Sequence, residues 1–218
     1  MTLICGIEEA GRGPVIGPMV MAGVVIEQKD EQKLKNMGVK DSKLLTPMQR
    51  EALFDRIKQS VIRYKIIILS PKEVDDSLND PSMNLNWLEA ETSVKLIDKL
   101  NPDEAILDCP STNTNAYRDY VKTRLEKKIK IISEHKADVN YPVVSAASIL
   151  AKVTRDREIE KIKDSINKEF GSGYPSDPRT IEFLDKNYDR YPHIFRKTWK
   201  TYQKVIANKK QKGLMDFK

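Results

Sequence analysis

Cysteine and histidine are nearly absent from this 218-residue chain, which has two of each. Two cysteines build neither a disulfide framework nor a zinc site, so Cys5 and Cys109 are expected as free thiols. His135 and His193 have no partner at zinc-ligand spacing and read as surface residues. No apolar run approaches the ~18 residues that cross a bilayer. No basic segment leading into an apolar one is visible at the N-terminus, so no secretory signal is read, and the expected compartment is the cytoplasm. Glycine is sparse, 9 residues, beside 32% charged residues, a balance consistent with heat tolerance. Internal repeats and low-complexity segments are missing as well.

What is present is a mild excess of positive charge, 38 Lys+Arg against 32 Asp+Glu, with a pI of about 9.1. That favours a polyanionic partner without specifying one. The length suits one main domain with appendages.

Apolar density over residues 3–7 predicts a buried strand that delivers Glu8 and Glu9 and then breaks into Gly11-Arg12-Gly13-Pro14. Neighbouring side chains on a strand point to opposite faces. The two glutamates can therefore share a site only if Glu9 sits where the strand ends and turns. The alternative is two solvated glutamates at a strand end. Gly11 and Gly13 permit a turn, and the loop would let backbone N–H groups and Arg12 approach a phosphate.

Further strands are expected at 19–26, 64–69, 104–108 and 130–133. Capping boxes at Thr46-Pro47-Met48-Gln49 and Ser70-Pro71-Lys72-Glu73 predict helix starts. Helical spacing runs through Leu88, Thr92, Leu96 and Leu100. A long helix begins at Pro142, small and apolar in its first turns so that it can pack closely on a sheet. Asp138 is expected in a loop, and residues 208–218 as a solvated tail. Strands mixed with helices give an α/β fold with a C-terminal helical appendage. The expected organisation is a catalytic domain over 1–168, a helical region over 169–210 and a tail over 211–218.

Acids thus fall at or near three strand ends: Glu8 with Glu9, Asp108 and Asp138. Ligand sites in α/β sheets gather at strand carboxyl ends. Carboxylates without His or Cys suit Mg²⁺ or Mn²⁺, and two such ions about 4 Å apart would serve a phosphodiester displacement. A dinucleotide-binding reading of Gly11-x-Gly13-x-x-x-Gly17 needs a helix to start there. Pro14, Pro18 and the strand pattern Met19-Val20-Met21 oppose it.

Several motifs occur together and in order. They are Gly6-Ile7-Glu8-Glu9-Ala10-Gly11-Arg12-Gly13-Pro14, Asp41-Ser42-Lys43, Leu107-Asp108 and Lys136-Ala137-Asp138. Two longer ones follow: Tyr141-Pro142-Val143-Val144-Ser145-Ala146-Ala147-Ser148-Ile149-Leu150-Ala151-Lys152 and Gly171-Ser172-Gly173-Tyr174-Pro175-Ser176-Asp177-Pro178. In these the chain resembles the type 2 ribonucleases H of archaeal and eukaryotic style, along nearly its whole length.

The resemblance implies a ribonuclease H-like fold with a mixed five-stranded sheet. It also implies a divalent-metal-dependent endonuclease that cuts RNA in RNA–DNA hybrids and incises at single ribonucleotides in duplex DNA, leaving 3′-hydroxyl and 5′-phosphate ends. The family's four catalytic acids fall on Glu8, Glu9, Asp108 and Asp138. Its loop that reads the 2′-OH falls on Gly11, Arg12 and Gly13, and its ribose-stacking tyrosine on Tyr174. A 2′-OH both donates and accepts, which is how a protein tells RNA from DNA. Lys43 and Lys152 would position phosphates. A monomer is expected.

One position departs from the family pattern: Glu8 stands where the pattern has aspartate. An extra methylene moves a carboxylate by about 1.5 Å, and misplacement of about 1 Å can cost ~10²-fold in rate. A natural variant with compensating shifts, an engineered impairment and a binder of RNA–DNA hybrids that does not cut them all stay open. At the C-terminus, Gln211, Leu214 and Phe217 resemble the box with which replication and repair enzymes bind a sliding clamp. Lys218 replaces its second aromatic. A frayed tail touching the domain is the alternative reading.

Overall fold

The computed structural model describes residues 1–215, with side chains through Gln211. The elements in chain order are β1 (Leu3–Ala10), β2 (Met19–Glu27), α1 (Glu31–Met37), α2 (Pro47–Ser60), β3 (Arg63–Leu69), α3 (Pro71–Leu78) and α4 (Leu85–Leu100). There follow β4 (Glu104–Asp108), α5 (Thr114–Arg124), β5 (Lys130–Glu134), α6 (Ala137–Asn140), α7 (Pro142–Ile166), α8 (Pro178–Asn187) and α9 (Lys200–Met215). Two compact units interleave along the chain, so no single cut separates them. One holds Met1–Ala10, Val20–Ile68 and Asn84–Arg155; the other holds Gly11–Met19, Leu69–Met83 and the chain from Asp156 onward. No helix among the described residues is long and apolar enough to cross a membrane.

The first unit is built on a mixed five-stranded sheet in the order β3-β2-β1-β4-β5. β1 pairs antiparallel with β2 and parallel with β4, and β4 pairs parallel with β5. Strand alternation sorts the core into two layers. Ile4, Val20, Ala22, Val24, Ile26 and Ile106 face one side, against Leu53, Phe54 and Ile57 of α2 and the small apolar start of α7. Cys5, Ile7, Met21, Val25, Ala105 and Leu107 face the other, against α4 and α5. The approach of α7 is close enough that a Cβ added to Gly6 would stand 2.5 Å from the Val143 carbonyl oxygen. The small residues at the start of α7 are what permit it.

Local chemistry starts the helices where the sequence places them. Thr46 and Ser70 each form a complete capping box with proline following. One expectation is corrected. Asp138 lies on the single helical turn of α6, entered from Lys136 in a left-handed conformation, and not in an irregular loop. The expected solvated tail from residue 208 runs on as helix, α9 reaching Met215, with Asn208, Lys210 and Gln211 exposed. Its lysines and Gln211 favour helix, and Lys209 pairs with Asp185 of α8 at 3.0 Å.

The second unit has its own core of Val15, Ile16, Ile159, Phe170, Phe183, Leu184, Ile194 and Phe195. Within it the 15–17 segment pairs with 194–196. Gly17 N donates to Ile194 O, Arg196 N donates to Val15 O, and Ile16 bridges Phe195.

Candidate active site

The register of β1 and β4 places Ile7 opposite Leu107, and one step further it sets Glu8 opposite Asp108. Both residues carry the parity of Ile4 and Ile106, so they share the α7 side of the sheet. Asp138 reaches the same side because β5 feeds α6, and the Ala137 backbone N–H donates to Asp108 Oδ1 at 2.8 Å. Ser145 Oγ donates to the Asp138 carbonyl oxygen, anchoring α6 to α7.

Glu9 behaves differently. β1 pairing continues past it to Ala10, opposite Val20. The strand therefore does not end at Glu9, the condition for sharing one site with Glu8, and the pleat directs this residue to the α4–α5 side. On that side the buried Tyr117 hydroxyl is pushed up by burial first and then by Glu89, with Glu9 a smaller contributor.

The electrostatics mark Glu8 as the strained member. It is 6% exposed, and its carboxyl is held well above the usual range. Burial is the main cause, followed by the charges of Glu9, Asp108 and Asp138, with Lys43 opposing. Asp138, 2% exposed, is raised by burial and by Asp108 and Asp41, again against Lys43. The Lys43 ammonium stands 3.4 Å from Asp138 Oδ2. Burial would lower its pKa, but Asp138, Asp41 and Glu8 outweigh burial and raise it.

The loop that carries Lys43 is pinned from beneath. Arg50 donates to Ser42 O at 3.0 Å and Leu45 O at 2.6 Å, and Ser42 Oγ meets Ser148 Oγ at 2.9 Å. Arg50, Ser145 and Ser148 were not singled out individually by the sequence. The two serines lie within the quoted Tyr141–Lys152 motif, and Arg50 carried no signal beyond its place on α2. Lys152 is half-buried on α7.

Among the described residues no three His, Cys, Asp or Glu side chains are gathered tightly enough to hold a metal ion as they stand. Mutual repulsion opposes closer approach, and the pleat separates Glu9 from Glu8. The donor set nevertheless fits a hard divalent cation. Glu8 Oε2 is buried without a hydrogen-bond partner, and a buried unpaired carboxylate oxygen is costly unless a cation or proton meets it.

In the second unit, the loop after β1 and the Gly171–Pro178 segment come together. Val15 N and Ile16 N both donate to Gly173 O, at 2.9 and 3.3 Å. Gly11 is left-handed, φ 83°. A Cβ on Gly13 would lie 3.5 Å from the Tyr174 ring, so that ring faces the loop while staying 38% exposed. Arg12 is half-buried and Gly13 exposed. In the C-terminal box, Gln211 is exposed near the end of α9. The side chain of Leu214, and Phe217 altogether, lie outside the described residues.

Comparison with known proteins identifies the family and the fold. The family model for ribonuclease HII matches residues 5–202. A ribonuclease HII from Pyrococcus furiosus is 48% identical over 214 residues, covering 96% of this chain and 93% of the relative. The crystal structure of the ribonuclease H2 from Pyrococcus horikoshii OT3 is 44% identical with a TM-score of 0.87, covering 94% of this chain and 98% of that one. The structure of a PCNA:RNase HII complex from Archaeoglobus fulgidus is 39% identical with a TM-score of 0.84, covering 93% and 96%. With the motifs in order, the sheet in the expected topology and relatives matched end to end, the chain belongs to the ribonuclease HII family.

Proposed function

We propose that this chain hydrolyses the RNA strand of RNA–DNA hybrids and incises duplex DNA on the 5′ side of a single embedded ribonucleotide, leaving 3′-hydroxyl and 5′-phosphate ends. Membership of the ribonuclease HII family supports hybrid cleavage. The observation that carries the catalytic reading is Glu8. It is a buried carboxylate with one unpartnered oxygen, in the field of three further acids.

Glu8, Asp108 and Asp138, which share the α7 side of the sheet, would hold Mg²⁺ or Mn²⁺, with Glu9 adding its negative charge from the next position of β1. When bound, two such ions would neutralise charge on the attacking and leaving oxygens of the displacement. The remaining groups orient and recognise. The Ala137 N–H fixes the Asp108 carboxylate, and Lys43, exposed yet tied to Asp138, offers its ammonium to a phosphate. Lys152 would contact the backbone in the same way. Gly11, Arg12 and Gly13, with the Tyr174 ring beside them, would read the 2′-OH that marks a ribonucleotide. Tyr174→Ala should therefore impair incision at a lone ribonucleotide more than cleavage of a long hybrid, where many registers are available.

The test is incubation with Mg²⁺ or Mn²⁺ and a duplex carrying one ribonucleotide. A 5′ incision with the stated ends is expected. Binding without incision on any substrate would establish the alternative, a hybrid binder silenced by Glu8.

The relative seen in complex with PCNA supports a docking role for Gln211, Leu214 and Phe217 on a sliding clamp. With Lys218 in place of the second aromatic, micromolar or weaker affinity is expected, since a missing anchor can cost ~2 kcal/mol or more. Calorimetric titration of the full chain and of a chain ending at Lys210 checks it. Equal heats would remove the box.

A further inference from the structure

Arg196 is among the largest fully buried side chains of the protein, with 0% exposure. Its guanidinium donates to three carbonyl oxygens of one loop: Gly11 at 2.7 Å, Arg12 at 3.0 Å and Gly17 at 3.0 Å. It also lies 4.7 Å from the centre of the Trp199 ring, and Trp199 Nε1 donates to Gly13 O at 3.0 Å. Every carbonyl from Gly11 to Gly13 is thus held by one of two neighbouring side chains. The pairing of 194–196 with 15–17 delivers Arg196 to this position.

Peptide planarity turns this contact list into a statement about direction. In a trans peptide, the C=O of one residue and the N–H of the next point opposite ways. Holding Gly11 O inward on Arg196 turns the Arg12 N–H outward. Holding Arg12 O inward turns the Gly13 N–H outward, on the side where the loop is exposed. Holding Gly13 O on Trp199 sacrifices no donor, because the next residue, Pro14, has no N–H. Two successive N–H groups directed outward form a small concavity suited to an oxygen acceptor.

We infer that Arg196 and Trp199 are the positioning residues of the ribonucleotide-reading loop, holding its carbonyls inward so that the Arg12 and Gly13 amides face the ribose 2′-oxygen. This rests on the reading of that loop as the site of 2′-OH recognition. Arg196 suits the task because a planar fork satisfies three separated carbonyls at once, which a lysine ammonium cannot match. Arg196 is fully buried and Trp199 acts through the Gly13 carbonyl it holds. The effect should therefore fall on discrimination between substrates, not on binding of duplex in general.

Trp199→Phe removes the indole N–H and part of the ring at a half-buried position, and it threatens folding least. Arg196→Lys keeps the charge but not the fork. Each is compared with the parent chain in kcat and KM on a lone-ribonucleotide duplex and on a long hybrid. Backbone amide order parameters at Arg12 and Gly13 are measured alongside. Since misplacement of about 1 Å can cost ~10²-fold, about a tenfold loss in kcat at the lone ribonucleotide is expected for Trp199→Phe. A larger loss is expected for Arg196→Lys, with hybrid cleavage and KM changing much less. The order parameters of these two amides should fall in both variants.

A parent chain that ignores the lone ribonucleotide would count against the loop's reading role. The hold of Arg196 and Trp199 on the loop is then judged by the order parameters alone. Unchanged order parameters at Arg12 and Gly13 in a folded Trp199→Phe chain overturn the inference. Equal losses on both substrates also overturn it.

Discussion

The carboxylate of Asp108 accepts a 2.8 Å hydrogen bond from the backbone N–H of Ala137. One interaction thereby joins the end of β4 to the turn that carries Asp138. An asparagine side chain can keep that bond through its oxygen, so Asp108→Asn should fold normally. It removes one negative charge from the carboxylate group and no phosphate contact. Cleavage should fall by about 10²-fold or more, the scale on which a disturbed reacting centre acts, with hybrid binding nearly intact. Single-turnover cleavage beside a binding titration checks it, and undiminished cleavage would remove Asp108 from the site.

Glu8→Asp shortens the most buried carboxylate of β1 by one methylene and restores the residue of the family pattern. If the longer side chain displaces the ion, Mg²⁺-dependent cleavage should rise roughly tenfold. An equal or lower rate would show a site adapted to glutamate.

Cation binding should be visible in stability without any reaction. Glu8 is raised above its ordinary value of 4.5 by burial and by its acidic neighbours. The folded state therefore binds this proton more tightly than the unfolded one. The metal-free chain should then lose stability as pH rises above 4.5 and through the folded pKa, because the unfolded state releases the proton first. Mg²⁺ or Mn²⁺ should reverse that loss. At a hundred times Kd the gain is about 2.7 kcal/mol, roughly 5–10 °C in Tm for a chain of this size. Melting curves at pH 5 and pH 8, with and without the ions, decide it. A metal-independent Tm at pH 8 would contradict the donor set.

Gly6→Ala should be costly despite its small size. The added Cβ would meet the backbone of Val143 and Val144, and a helix start cannot yield as a flexible side chain can. A loss of about 1–3 kcal/mol or more is expected, as for other overpacked positions. Denaturant unfolding that leaves the midpoint unmoved would refute the close packing of α7 on β1.

Both cysteines are free and buried. The Cys5 thiol is pushed up to about 12 by burial, so it carries almost no thiolate at pH 8 and should react only on unfolding. Cys5 stands opposite Ala105, and Cys109 lies four residues further along. At ~3.3 Å per residue that is about 13 Å, beyond the roughly 7 Å a disulfide allows. Thiol titration should find two equivalents in denaturant and far slower reaction in the native protein.

Residue identity and spacing alone were enough for much of this protein. Proline and hydrogen-bonding side chains at Thr46 and Ser70 start α2 and α3 through contacts three residues away, so those signals are local and readable. The apolar densities that place β1, β2 and β4 are local too, and the ordered motifs point to the family, its fold and its four acids. Tertiary structure decided what depends on register and on contacts distant in sequence. It set Glu8 against Asp108, a relationship created by pairing residues 100 positions apart. It also carried β1 past Glu9, so the pleat parts two adjacent carboxylates that the sequence writes side by side. And it brought Arg196 and Trp199 beneath Gly11, Arg12 and Gly13. Nothing near residue 196 announces that role, because a buried guanidinium acquires its meaning only from the carbonyls that folding places around it.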